Sequence, residues 1–354
     1  MVKSIRIEQI CTNTLCCEPI LRKMANGELL CICQCNGPCE PHPDNRVFAY
    51  YSNDDGKTWT GKVRVYPEVG MAVYCTEVTV FDDEITAYLT IHSGCFLDWK
   101  CIMMKSYDNG RTWKNAGSPP HFPEYTFIRG TITTSNGNIL TPYQYYPVTK
   151  EKHDRVLFEE KGKGIADTNI SYCESGVIIS SDGGKSYTRH VACCMYMEDA
   201  EVDETPVNPG WIWSEPTIVE LSDGTIVMLI RRDGSGWLWR SDSHDGGKTW
   251  GKCIKTDIPN PGNKPKLLKL DNDRIALIHT PNNYEIINSG CGSARRFPLC
   301  LWISDDNMKS WKSKTILTDF PGSYSYSDGF YENGHIKFSI EHNRHTALMF
   351  DIEL

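Results

Sequence analysis

The chain has no apolar run approaching the ~18 residues that a membrane-spanning helix requires. Its first ten residues, which include Lys3, Arg6 and Glu8, contain no continuous apolar stretch of the export-signal kind. Basic runs are missing too. The formal net charge of −8 is modest for 354 residues, and no cluster of lysine and arginine stands out. That argues against nucleic acid and against anionic membrane surfaces as partners. The expectation is a cytoplasmic chain that binds neither. Also lacking is any paired Cys or Cys/His spacing of the zinc-finger type.

Cysteine itself is plentiful, at 16 residues. Cys16-Cys17 and Cys193-Cys194 are adjacent pairs, and Cys31, Cys33 and Cys35 alternate as side chains on one face of a strand do. Without an export signal they read as reduced thiols. A metal held by Cys31, Cys33, Cys35 and Cys39 is the competing reading. The spacing is a strand period and no second cluster completes a site, so buried thiols acting as small hydrophobes are preferred and no metal ligand is assigned. With 40% hydrophobic and 11% aromatic residues, there is ample material for a core.

What the chain does have is a repeat. From Trp211 to Trp250 three short apolar runs are separated by Ser222-Asp223-Gly224, Asp233-Gly234-Ser235-Gly236 and His244-Asp245-Gly246-Gly247, which reads as strands joined by turns. The last eight residues carry the pattern Ser-x-Asp-x-Gly-x-Thr-Trp. Further copies begin at Ser52, Ser106 and Ser180, and a degenerate one at Ser304 has Met308 where the turn glycine belongs. The spacings of 54, 74, 63 and 61 residues suit units of several strands and point to an array of blades. The aspartates are expected to tie their own turns and not to catalyse, because five near-identical sites cannot converge on one pocket. A second alignment, of the strand that opens each unit, gives six units. The predicted fold is all-β, a six-bladed propeller forming one domain over residues 1–354. Ile5–Ile10 is expected to pair with Phe350–Ile352 in the last blade.

The aligned openings bring Glu18, Glu77, Arg129, Glu215, Lys264 and Tyr326 to equivalent positions, one from each unit. Such a polar set either pairs internally or meets a charged ligand. Loops that suggest function are 36–46, the segment containing His92, Asp98 and Trp99, an insertion at 143–169, the acidic 197–208 and the polar 282–296.

The octets resemble the Asp boxes of the sialidase (neuraminidase) superfamily, and the likeness extends over essentially the whole chain. Glu215 followed by Arg231 is similar to that family's blade-4 glutamate and the arginine about sixteen residues beyond it. Arg296, with Arg295 as rival, resembles the arginine before the fifth box. Tyr326 in Tyr-Ser-Asp resembles the nucleophilic tyrosine, with Tyr324 as the fallback. The resemblance implies Tyr326 as nucleophile and Glu215 as its proton acceptor, because a phenol of reference pKa near ~10 is otherwise a poor nucleophile. Glu40 or Asp44 would be the acid/base group. Arg231 and Arg296, with Arg129, would grip an anionic sugar, while Glu18, Glu77, Lys264 and His92 would line the substrate site. There is one departure: Cys17 stands where the family's first Arg-Ile-Pro motif has arginine. The expected activity is exo-acting hydrolysis of a terminal acidic sugar from an oligosaccharide, with no cofactor. A uronic-acid lyase using a tyrosine or His92 as base, and a non-catalytic sugar-binding propeller, are the alternatives.

Overall fold

The computed structural model describes residues 2–92, 100–119, 126–146, 172–196, 214–289 and 294–354. Six antiparallel sheets hold 54% of them against 3% in helix, and the fold class is that of a six-bladed β-propeller. Blade 1 consists of Cys16–Lys23, Leu29–Cys35, Arg46–Ser52 and Thr60–Arg64, and blade 2 of Ala72–Phe81, Glu84–His92, Lys100–Ser106 and Lys114–Asn115. In blade 3 the opening strand is broken into Thr126–Ile128 and Ile132–Thr133, followed by Ile139–Tyr145, Tyr172–Ser180 and Thr188–Tyr196. Blade 4 runs Pro216–Glu220, Ile226–Arg231, Trp237–Ser243 and Ile254–Pro259, and blade 5 runs Lys266–Lys269, Ile275–His279, Cys300–Ser304 and Ser313–Ile316. Blade 6 joins Tyr324–Glu332, His335–His342 and Thr346–Glu353 to the N-terminal strand Ser4–Thr12. Its register pairs Ile5 with Ile352 and Ile7 with Phe350, as the sequence predicts.

The chain divides into two compact units. Blades 1 and 2 and nearly all of blade 6 belong to the first, and blades 3, 4 and 5 to the second. Within each blade burial falls from the middle strands outward. Every residue of Leu29–Cys35 and Arg46–Ser52 is buried, whereas Thr60–Arg64 is mostly exposed. Middle strands covered on both faces read as continuous apolar runs, and the outer strands of blades 1, 2, 4 and 5 are short and carry Lys62, Lys114, Lys255 and Lys314, charges that discourage pairing with another chain.

All five octets fold into the same turn. Ser52 donates its hydroxyl to Asp54 Oδ1 at 2.8 Å, and the Thr58 amide and hydroxyl donate to the same carboxylate at 2.9 and 2.6 Å. Equivalent bonds tie Asp108, Asp182, Asp245 and Asp306. The Thr58 donors hold the Asp54 carboxyl down at about 2, and at Asp108 burial works to raise the carboxyl but the Thr112 donors overcome it and hold it at about 2 as well. Met308 takes the left-handed conformation of the missing glycine at φ 59°, and its amide still bonds Ser304 Oγ at 3.0 Å. The loop 282–296 contains a short helix, Tyr284–Ser289. Most of the 143–169 insertion, all of 197–208, and Asp98 and Trp99 lie outside the described residues.

Candidate active site

The opening strands share a backbone irregularity where the candidate residues sit. Pairing shifts between Cys17 and Ile20 and between Cys75 and Glu77, and Arg129-Gly130 interrupts blade 3. Glu18, Gly130 and Tyr326 all have positive φ, at 45°, 43° and 57°. A left-handed glutamate and a left-handed tyrosine within strands are strained by ~1–3 kcal/mol each, and strain of this kind concentrates at functional positions.

In the first unit the centre of the group is Arg344, from the turn that follows His335–His342. Its Nη2 donates to Glu40 Oε2 and, at 3.2 Å, to the Cys17 thiol; Glu341 Oε1 lies 4.0 Å from Nε. Burial alone would lower the guanidinium's pKa, but Glu40, Glu341, Cys17 and Tyr326 around it raise it. Burial, with Glu40 and Glu341 behind it, pushes the Cys17 thiol well up and keeps it protonated. Glu18, Glu40, Cys17, Glu341 and Tyr326 thus share one electrostatic neighbourhood. Tyr326 is partly exposed, while Glu18 is buried.

Three expected members stand apart from that group. Asp44 is 70% exposed and sits 3.5 Å from His42 Nδ1. His92 is fully buried, edge-on to the Tyr74 ring at 5.0 Å. Glu77 is held by Arg22 Nη2 at 2.5 Å with 1% of its side chain exposed, so its carboxylate has no surface to offer a substrate. For Glu77 the pairing alternative holds, and Arg22 Nη1 extends it to Asp328 Oδ1 at 2.7 Å.

The second unit holds a cationic group. Glu215 Oε1 accepts from Arg129 Nη2 at 3.1 Å and Oε2 from Arg231 Nη1 at 2.6 Å. Burial works to raise this carboxyl, but Arg231, Arg129 and Lys264 overcome it and hold the group ionised. Arg231 also reaches Asp233, Nε to Oδ1 at 2.7 Å and Nη2 to Oδ2 at 3.2 Å. Burial raises the Asp233 carboxyl, against Arg231 and Arg296 and with the help of Glu215. Arg296 donates from Nη2 to the Gly262 carbonyl at 2.9 Å. Gly262, at φ 78°, lies so near Asp233 that an added Cβ would be 3.0 Å from its Oδ1. Arg295 is 85% exposed and faces Glu285, so of the two arginines Arg296 is the one turned inward. Tyr324, the fallback tyrosine, is fully buried between Phe297 and Phe320 and donates its hydroxyl to the Phe320 carbonyl at 2.9 Å, which makes it a packing residue.

A family model described as a BNR repeat-like domain matches residues 27–337. The chain belongs to this family, within the sialidase-like superfamily. A sialidase of Paraclostridium sordellii is 24% identical to it, over 92% of this chain and 85% of that protein. Among solved structures, a protein of unknown function from Dyadobacter fermentans superposes with a TM-score of 0.71 at 16% identity, covering 100% of both chains. A Hadza microbial sialidase gives the same TM-score and identity over 97% of this chain, which spans 66% of that one. Likeness at these identities concerns the fold alone. Against the sialidase-like pattern, the structure adds residues that sequence reading passed over. Asp233 lies in an Asp-Gly turn and reads as turn chemistry. Arg22 is a strand residue with no motif, and Asp328 is the last residue of Tyr-Ser-Asp, to which no role of its own was given. Arg344 falls in a His-Asn-Arg-His turn, yet it delivers a guanidinium to Cys17, the position where the superfamily's first arginine is replaced.

Proposed function

We propose that this sialidase-like chain is an exo-acting glycoside hydrolase that removes a terminal acidic sugar from oligosaccharides. The observation that carries the reading is the charge balance in the second unit. Arg129, Arg231, Arg296 and Lys264 gather about two carboxylates, Glu215 and Asp233. Guanidinium groups gathered in a buried setting suit a ligand carboxylate, which arginine grips through its planar fork.

In this reading Tyr326 is the nucleophile at the anomeric carbon and Glu215 the base, the roles that the resemblance implies for each. A neutral phenol avoids the repulsion that a carboxylate nucleophile meets at an anionic sugar. Glu40 protonates the leaving oxygen and then activates the water that releases the sugar from Tyr326. Glu40 is preferred to Asp44 because its side chain is only 13% exposed, whereas Asp44 stands in solvent. Arg344 supplies positive charge beside Cys17 in place of the replaced arginine. Glu18 and Lys264 shape the surroundings and do not react.

Tyr326→Phe is the cleaner test, since Tyr326 is only partly buried while Glu215 is also structural. On whichever substrate a panel of aryl glycosides and sialyl or uronyl oligosaccharides identifies, Tyr326→Phe should lower kcat by at least about 10³-fold. Glu215→Gln should lower it by roughly 10²–10⁴-fold. Full activity in both variants would overturn the assignment. An unsaturated product, seen as new ultraviolet absorbance, would replace hydrolysis by elimination.

A further inference from the structure

Four cysteines that sequence spacing does not group meet in the first unit. Cys11 comes from the N-terminal strand, Cys16 from the first strand of blade 1, and Cys33 and Cys35 from the second. Their sulfur atoms all lie within 4.8 Å of one another, and all four residues are buried. Four of the six separations are 3.6 Å for Cys11–Cys16, 3.7 Å for Cys11–Cys33, 3.8 Å for Cys16–Cys33 and 3.6 Å for Cys33–Cys35. We propose that Cys11, Cys16, Cys33 and Cys35 bind one tetrahedral, thiophilic divalent ion of the zinc class.

The geometry comes from three local features. Cys33 and Cys35 are two apart and so share a strand face, and Cys16 pairs directly with Cys35 across the ladder. A register shift between Gln9 and Cys11 bends the N-terminal strand there, the usual means by which a bulge re-aims a side chain. A metal–sulfur bond of ~2.3 Å at tetrahedral angles sets sulfur–sulfur edges of ~3.8 Å, and the four measured edges fall at that length. Sulfurs in plain van der Waals contact stand equally far apart, so distance alone does not separate the readings. The surroundings favour a ligand. Asn13 Nδ2 lies 3.3 Å from Cys35 Sγ and the Tyr50 hydroxyl 3.7 Å from it, placing polar hydrogens where a metal-bound thiolate needs them. Lys62 Nζ donates to Asn13 Oδ1 at 2.9 Å and brings positive charge behind that contact. Binding exchanges the four thiol protons for one M²⁺, leaving a site of net charge −2 that these donors offset. With four protein ligands and no exposed position, the ion is structural. It ties the N-terminal strand of blade 6 to blade 1.

The full chain, prepared under reducing conditions with zinc supplied, should hold about one equivalent of zinc or iron after dialysis by elemental analysis. Replacement by cobalt should give thiolate-to-metal charge-transfer absorption and the visible bands of a tetrahedral ion. Cys33→Ser should lower bound metal at least tenfold, whereas Cys39→Ser, at an exposed thiol outside the cluster, should leave it unchanged. Should Cys33→Ser not fold, alkylation of the unaltered chain decides: the four thiols must be protected with metal and modified after chelation. Less than about a tenth of an equivalent bound, or identical alkylation with and without chelator, overturns the proposal.

Discussion

His279 carries a protonation equilibrium far from the candidate site. It is buried edge-on to Trp302, with ring centroids 4.5 Å apart, and among the described residues neither ring nitrogen has a hydrogen-bond partner. Burial, and secondly the Lys314 ammonium, push it down to about 3. The unfolded chain takes up this proton near ~6.5, the folded chain only near 3, so stability is lost as pH falls through that interval. His279→Phe should therefore flatten the dependence of the urea midpoint on pH between about 6.5 and 4.5, where carboxylates contribute little. Slopes that coincide with wild type would show that His279 is not kept neutral. Met308 sets two effects against each other. Its left-handed backbone costs about 1–2 kcal/mol, which Met308→Gly would relieve. The side chain is 5% exposed and packs with Trp302, Leu229 and Ile258, and deleting a buried methionine costs roughly 2–5 kcal/mol. Packing wins, and Met308→Gly should destabilise the protein by about 1–3 kcal/mol in urea titrations. Greater stability would mean that strain dominates. In the first octet the space above Gly56 is filled from outside by Met349, whose sulfur would lie 2.2 Å from an added Cβ. The fifth octet fills the corresponding position with its own side chain.

Between elements, Arg22 is the central contact of the first unit. From blade 1 it reaches Glu77 in blade 2 and Asp328 in blade 6, and its Nε donates to the Val78 carbonyl at 2.6 Å. Both carboxylates are at least 96% buried, so Arg22→Met leaves two negative charges without their counterion. The expected loss is about 3–5 kcal/mol. Adding Glu77→Gln and Asp328→Asn should recover much of it, because neutral partners need no counterion; a triple variant no more stable than Arg22→Met in urea titrations would sink that account. None of this was legible from the sequence. Opening-strand alignment placed Glu77 with the ligand-facing residues on the strength of its position. The choice between ion pair and ligand depends on a long side chain arriving from a neighbouring blade, and no one-dimensional pattern records that. Glu215 and Arg231 were singled out by the family resemblance, and the structure pairs them within one blade, through the ladder that also joins the Arg231 amide to the Glu215 carbonyl at 3.0 Å. The four-cysteine cluster was hidden for the same reason as Arg22: its members come from two blades, and strand alternation explains only Cys33 and Cys35.

Across the whole chain, the architecture was the most legible feature, because five copies of one turn carry redundant information that survives the loss of a glycine at Met308. The pairing of the two chain ends was readable from ring closure, in which one terminus completes the blade begun by the other. That pairing is also the costliest contact to form. Ser4–Thr12 meets Thr346–Glu353 along its full length, with Lys3 donating its amide to the Glu353 carbonyl at 2.8 Å and Arg6 Nη2 lying 2.8 Å from Asp351 Oδ2. Contacts between such distant residues return their energy only after a long loop has been closed, so this blade should complete late in folding. The Thr346–Glu353 strand is apolar and buried from Ala347 to Phe350, and without its partner it would be a hydrophobic sheet edge. A chain lacking residues 2–12 should therefore self-associate in size-exclusion chromatography and lose its cooperative urea transition. A peptide spanning those residues, added in excess, should restore the elution position of the full chain by supplying the missing strand. A truncated chain that stayed monomeric with an unchanged midpoint would show that the Thr346–Glu353 edge needs no covering strand, and that the N-terminal segment is an addition to the blade and not one of its members.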